Sequence, residues 1–353
     1  MRRNGLKNGL LMTTSFMTMV LGYSRRAYAG CTPLPGPSSA YICTGAPGVP
    51  TSYAFYGTDV SVLAAAPTVF YNDGPYGPAD QILIEGDGYL DFESQGSVYL
   101  YSYYQFGVRV NHLGSGYAAG DITITTTYAA PSLGVDWGIE GYLGGIGAFH
   151  YGTGNIDMDL SSRVTGYMSG VTSIHYGTGD IDISVGSATP GEADGTISAT
   201  GTFASDHGIE AYHNGTGAIT ITLNGDVEAD GGDAVHAVSW VNGTGITVNL
   251  GDGDVEGEVV GIFANQIGTS GGVSITATSP TEPGEVTGQY GDGILAINSG
   301  ADGITIETGE GSITGGAAAG VQTYADGIVA LDYGTGGIDI VVNDSDVTGD
   351  RMG

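Results

Sequence analysis

Lysine occurs once, as Lys7, and beyond residue 29 the basic residues are only Arg109, Arg163 and Arg351, set against 38 Asp+Glu in a chain of 353 residues with a formal charge of −30. Such a surface repels phosphodiester backbones and anionic headgroups, which excludes nucleic acid as a partner. Cysteine is nearly as scarce, with Cys31 and Cys43 alone. There is no C-x-x-C pair and no neighbouring His, so neither a thiolate metal site nor a redox motif is formed. Helical patterning is missing too, because apolar residues do not recur for long at three-four spacing and 65 glycines would weaken any helix interior. The glycines keep no collagen period, and 41% hydrophobic residues are too many for a chain disordered throughout. No apolar run approaches the ~20 residues that a membrane-spanning helix needs.

What is present begins with an export signal. Arg2, Arg3 and Lys7 form a basic start, residues 10–23 are mostly apolar, and Ala27-Tyr28-Ala29 presents small residues at the two positions a signal peptidase reads. Residues 1–29 are therefore expected to be removed, and the product to be secreted or displayed at the cell surface. In that setting a Cys31–Cys43 disulfide is the simplest use of the two thiols. Lipidation of Cys31 is the alternative, since Ala29-Gly30-Cys31 ends like a lipobox although Tyr28 stands where that motif has Leu.

The body of the chain is a repeat. Its clearest copies are IGAFHYGTGNIDMDL from Ile146, VTSIHYGTGDIDISV from Val171, IEAYHNGTGAITITL from Ile209 and IVALDYGTGGIDIVV from Ile328, with a degraded copy over 108–126. One apolar position marks each copy: Ile122, Ile156, Ile181, Ile219, Ile246, Val273, Ile304 and Ile338, at spacings of 34, 25, 38, 27, 27, 31 and 34 residues. Within a copy the period is two, as where Ile219, Ile221 and Leu223 alternate with Thr220, Thr222 and Asn224. The Gly-Thr-Gly tripeptide supplies corners with positive φ. A single such unit cannot bury its one apolar face, whereas stacked units bury it continuously. Three short strands and three corners per winding predict an all-β, right-handed parallel β-helix over 107–353. A β-propeller repeat is longer, and an antiparallel sandwich would not reuse one corner so often. The Pro- and Tyr-rich residues 30–106 lack the tripeptide and are expected to form an N-terminal cap over the exposed strand edges.

A signal peptide followed by irregular copies of Asp-Gly-Ile-x-Ala, Gly-Thr-Gly-x-Ile-x-Ile and Val-x-Gly resembles the passenger region of Gram-negative autotransporter (type V secreted) proteins. The resemblance covers about residues 108–349. It implies a β-helical stalk at the outer membrane surface, often an adhesin, whose partner is a host or cell-surface glycan or protein. Passengers of that family precede a translocating β-barrel. Here the repeat runs to the end of the chain, at Gly353, without one, so the reading expects a truncated repeat region or a barrel carried on another chain.

Candidate sites are few. His112, His150, His175 and His213 share one slot before the corner, continued by Val241, Asn298 and Asp332 in other copies. A hydrogen-bonded corner ladder is the expected use, with metal binding or proton sensing as the alternative. The segment 152–157 puts its acid one residue late for a calcium nonapeptide, and the acids of 251–258 read as a solvated face. An outward column of Thr123/Thr125, Asp157/Asp159, Asp182/Ser184, Thr220/Thr222, Thr247/Asn249, Ser274/Thr276 and Thr305/Glu307 is expected on one flank. The G-x-S-x-G match at 268–272 and the sequon shapes at Asn214 and Asn242 fall in corners. With no lysine, and with Arg109 and Arg163 in different copies, a lyase base or clamp is not assembled. The sequence thus assigns no catalytic, cofactor or metal residue, and a non-enzymatic surface stalk is expected, with a carbohydrate-active β-helix hydrolase or lyase as the alternative.

Overall fold

The computed structural model describes residues 30–34, 39–45, 52–72, 80–114, 119–127, 138–186, 195–278, 284–316 and 325–350. Residues 1–29, expected to be an export signal with its cleavage site, and Arg351 lie outside them. Every regular element among the described residues is a β-strand, and the strands repeat in threes. His207–His213, Ala218–Leu223 and Val227–Ala229 form one winding, followed by Val235–Ser239, Gly245–Leu250 and Val255–Gly257. Each strand pairs in parallel with its counterpart one winding on, so three ladders run the length of the molecule. This is a parallel β-helix. The first ladder holds ten strands, Tyr53–Gly57 to Ile328–Asp332, and ten windings at ~4.8 Å each make a rod about 45 Å long.

Register follows the apolar positions. Leu90, Ile122, Ile156, Ile181, Ile219, Ile246, Val273, Ile304 and Ile338 are successive partners in the second ladder. All but Ile338 are buried within the core. Leu100, Ile139, Val164, Ile197, Val227, Val255, Val286 and Ile313 make the equivalent column of the third ladder. A one-residue slip would turn every one of these side chains to water, which is why strands with a single buried face hold their register.

The stacking starts before the first Gly-Thr-Gly corner. Tyr53–Gly57, Ile82–Gly86 and Phe106–His112 are consecutive strands of the first ladder, so residue 107 marks where the sequence repeat becomes recognisable and not where winding begins. Strand alternation is enough to stack a winding; the tripeptide only tightens its corner. The antiparallel element at the N-terminal edge is narrower, a hairpin of Gly30–Pro33 with Ser39–Gly45 whose second strand lies in parallel on Val60–Asn72. Cys31 faces Cys43 across the hairpin and is disulfide-bonded to it, which leaves no free sulfur for a lipid thioether. At the opposite end Ile338, Ile340 and Val342, the inward set of the last described winding, are 43–49% exposed because no strand lies over them.

Two devices hold the corners. The last glycine of the tripeptide takes the expected positive φ at Gly154, Gly179 and Gly245 but not at Gly217 or Gly336, and in the last corner it is the following Gly337 that does. The first is required by contact instead: a Cβ on Gly177 would fall on the carbonyl oxygen of Gly152, and one on Gly215 on that of Gly177. Corner acids form the second device. Asp121 Oδ1 accepts from the Asn155 amide (2.9 Å), Asn155 Oδ1 from the Asp180 amide (3.0 Å) and Asp180 Oδ1 from the Ala218 amide (2.8 Å). Asp226 and Asp254 repeat this before the third ladder, and Asp292 before the first. Of the acids at 251–258 that read as a solvated face, Asp254 is thus bonded to an amide one winding on.

Candidate functional site

The histidine slot lies at the end of each first-ladder strand, facing inward. Its register runs His112, His150, His175, His213, Ser239, Gln266, Asn298 and Asp332. Ser239 therefore occupies the position assigned to Val241; the corner from Trp240 to Gly245 is one residue longer than that from Asn214 to Ala218, and Val241 is 60% exposed. The four imidazoles are fully buried and stack at 4.1, 4.5 and 5.0 Å with nearly parallel rings. Nδ1 of His150, His175 and His213 accepts the amide proton of Gly152, Gly177 and Gly215. The proton therefore sits on Nε2, which donates to the carbonyls of Gly120 (2.7 Å), Gly154 (2.7 Å) and Gly179 (2.6 Å). In these three both nitrogens are used in the neutral form and no lone pair is left for a metal, whereas His112, at the end of the stack, has neither ring nitrogen hydrogen-bonded. Burial pushes His150 and His175 down to about 4, with backbone carbonyls opposing and neighbouring imidazoles reinforcing the shift. Metal binding at this slot is thereby disfavoured, and the corner ladder accounts for it.

A second polar group lies on the outer flank of the first ladder, and the sequence reading did not single it out. His207 and Asp233 occupy the same register slot in adjacent windings, ahead of Ile209 and Val235. His236 stands opposite Glu210 in the next outward position. His236 Nδ1 donates to Asp233 Oδ2 at 2.7 Å, His207 Nδ1 lies 3.8 Å from the same oxygen, and the two rings stack at 4.3 Å. The Asp233 amide donates to His207 Nδ1 (3.1 Å), and Asp233 Oδ1 accepts from the Val260 amide (3.1 Å). Phe263 covers the outer side of His236 at 4.6 Å. Burial, then the nearby His236, pushes His207 down to about 4. Burial also raises Glu210, which accepts from Ser169 and Thr172, and lifts the Tyr212 hydroxyl to about 12. A slot-by-slot alignment of His-Gly-Ile with Asp-Ala-Val was the signal available for this cluster.

The remaining candidates are structural in their contacts. Arg163 pairs with Glu140 at 3.4 Å; Arg109 lies 3.9 Å from Asp80 and over the Phe149 ring at 5.1 Å. Ser270 of the G-x-S-x-G match sits in a corner, its hydroxyl on the Gly243 carbonyl and its own carbonyl on Gln266. The outward column from Thr123/Thr125 to Thr305/Glu307 is in register throughout. Tyrosines stack along the axis, the exposed Tyr142 on the half-buried Tyr167 at 4.8 Å and the exposed Tyr151 on Tyr176 at 4.9 Å. Stacked this way they turn their edges outward rather than their faces. A depression of about 410 Å³ near the N-terminal end is lined by Tyr56, Glu85, Asp87 and Leu113. No family model, no curated protein and no solved structure matches the chain.

Proposed function

We propose that the chain is an exported, non-enzymatic β-helical scaffold, an adhesin-like passenger or surface stalk that binds a host or cell-surface glycan or protein through many weak contacts. The observation that carries this reading is the in-register outward column of Thr, Ser, Asn and Asp. Groups repeated every ~4.8 Å along a rigid flank suit a ligand that is itself repetitive, because each further contact is made at high effective concentration. The acid-rich repeat without lysine supports a rod whose surface stays solvated. Purified protein should bind immobilised glycans or cultured cells, and a Thr220→Lys, Thr247→Lys pair on the flank should reduce that binding without changing the melting temperature. Retention of full binding would place the contact elsewhere.

The second reading, a carbohydrate-active enzyme, draws on the depression beside Tyr56 that Glu85 and Asp87 line. Release of reducing ends from a polysaccharide panel, abolished by Asp87→Asn, would replace the stalk with a hydrolase or lyase. Secretion through an autotransporter barrel belongs to the same proposal and is tested by the coding sequence downstream of Gly353.

A further inference from the structure

We infer that His207, Asp233 and His236 form a transition-metal site of the kind zinc occupies. All six histidines of the chain fall into two groups, the four of the corner stack and these two. The contrast between the groups is chemical. In the corner stack His150, His175 and His213 bond backbone through both nitrogens, whereas here two imidazoles converge on a carboxylate, and the three ligand atoms lie within 4.8 Å of one another. The cluster also breaks the repeat at one place, since the preceding slots hold Gly144 and Ser169 where His207 stands, and the following one holds Val260 beside Asp233.

The geometry is close to what a metal needs. Zinc–nitrogen and zinc–oxygen bonds of about 2.0–2.1 Å put tetrahedral ligands about 3.3 Å apart. The separations from Asp233 Oδ2, 2.7 Å to His236 and 3.8 Å to His207, bracket that value, so shifts of about half an ångström bring each imidazole to its ligand distance from the carboxylate, and the two imidazole nitrogens lie within 4.8 Å of each other. The Val260 amide holds Asp233 Oδ1 and leaves Oδ2 for the ion, the outer-shell support that fixes a ligating carboxylate. Gly232 permits the close approach, because a Cβ there would lie 2.8 Å from His207 Nδ1. His207 and Asp233 are 6% exposed, so most of their ordering is done before the ion arrives. Occupancy displaces the His236 Nδ1 proton to solvent and turns the His207 lone pair from the Asp233 amide to the metal. Two imidazoles and one carboxylate select a borderline ion such as zinc over calcium or magnesium, which take oxygen ligands, and three protein ligands leave a fourth position for water or an incoming group.

The test uses the full chain, stripped with chelator and titrated with Zn(II) by calorimetry and with Co(II) by visible absorption. One ion per chain, with the cobalt ligand-field bands of a four-coordinate nitrogen/oxygen site, is expected. His236→Gln and Asp233→Asn should each weaken binding by more than about tenfold, while His175→Gln leaves it unchanged. Absence of saturable binding in the unaltered chain overturns the proposal outright, whatever the variants do. Binding that survives both His207→Asn and His236→Gln, or that is lost on His175→Gln, overturns it as well.

Discussion

Replacing His175 with glutamine should change how the rod responds to acid far more than how stable it is at neutral pH. Burial holds the His175 imidazole neutral in the fold down to about 4, whereas in the unfolded chain it protonates near its ordinary 6.5. The native state therefore has full benefit above pH 6.5, loses it as pH falls from 6.5 to 4, and loses no more below that. A shift of this size has a ceiling of about 3 kcal/mol per imidazole, and relaxation of the surrounding dipoles around the charged ring cuts that to roughly half. Glutamine already fills the same slot at Gln266, where Nε2 donates to the carbonyls of Gly243 (2.9 Å) and Ser270 (2.8 Å). The variant keeps a donor for the Gly154 carbonyl. It risks the acceptor for the Gly177 amide, a cost of about 1 kcal/mol at pH 7.5. The wild type should lead by that margin at pH 7.5, and the gap should close or reverse at pH 4.5, a relative change of about 1.5 kcal/mol. Urea denaturation followed by circular dichroism, with Trp240 fluorescence as a reporter beside the stack, measures both. A gap of equal size at the two pH values would refute the buried-neutral stack.

Four further outcomes follow from other contacts. Asp157 is raised to about 6 by burial and then by Asp182 in the next winding, so the stability tied to its protonated form is present below about 3.8 and lost as pH rises through 6. Asp157→Asn should stabilise by about 0.5–1 kcal/mol at pH 7, after allowance for its solvent exposure, and by nothing at pH 3 in paired melting curves. Ile219→Ala removes a fully buried side chain from the middle of the second ladder and should cost about 2–5 kcal/mol by chemical denaturation. Gly177→Ala should cost more than about 3 kcal/mol because its Cβ lands on the Gly152 carbonyl, whereas Gly337→Ala, where no atom lies within 4 Å, should show only the smaller cost of its positive φ. Loss of the disulfide through Cys31→Ser should cost about 2–3 kcal/mol, with faster amide exchange confined to the hairpin and the strand beneath it.

The windings were legible because one physical requirement repeats. Burying Ile219, Ile221 and Leu223 while wetting Thr220 and Thr222 demands period two, and closing each winding demands glycine at the corner. Where the requirement is met by other residues the pattern fades. Leu90 and Phe92 stack under Ile122 and Ile124 as faithfully as any later pair, yet their winding has no Gly-Thr-Gly, so the solenoid extends further toward the N-terminus than its signature. The longer corner after Ser239 likewise moves the histidine slot away from where a count back from Gly243 puts it, because counting along the chain cannot see that the strand ends at Ser239.

Sites in a solenoid are harder to find for the same geometric reason. Residues that touch come from equivalent slots one winding apart, and the winding length varies from 25 to 38 residues, so no fixed spacing connects them. His207 and Asp233 look unremarkable in the chain, and only the pairing of Ile209 with Val235 stacks one on the other. The same register that makes an outward Thr column from scattered I-T-I-T segments makes this cluster from three unrelated-looking residues. A repeat that conserves its interior slots leaves its outward slots free to differ, and a side-chain group that differs in one winding only is where a specific ligand can be distinguished from the architecture that carries it.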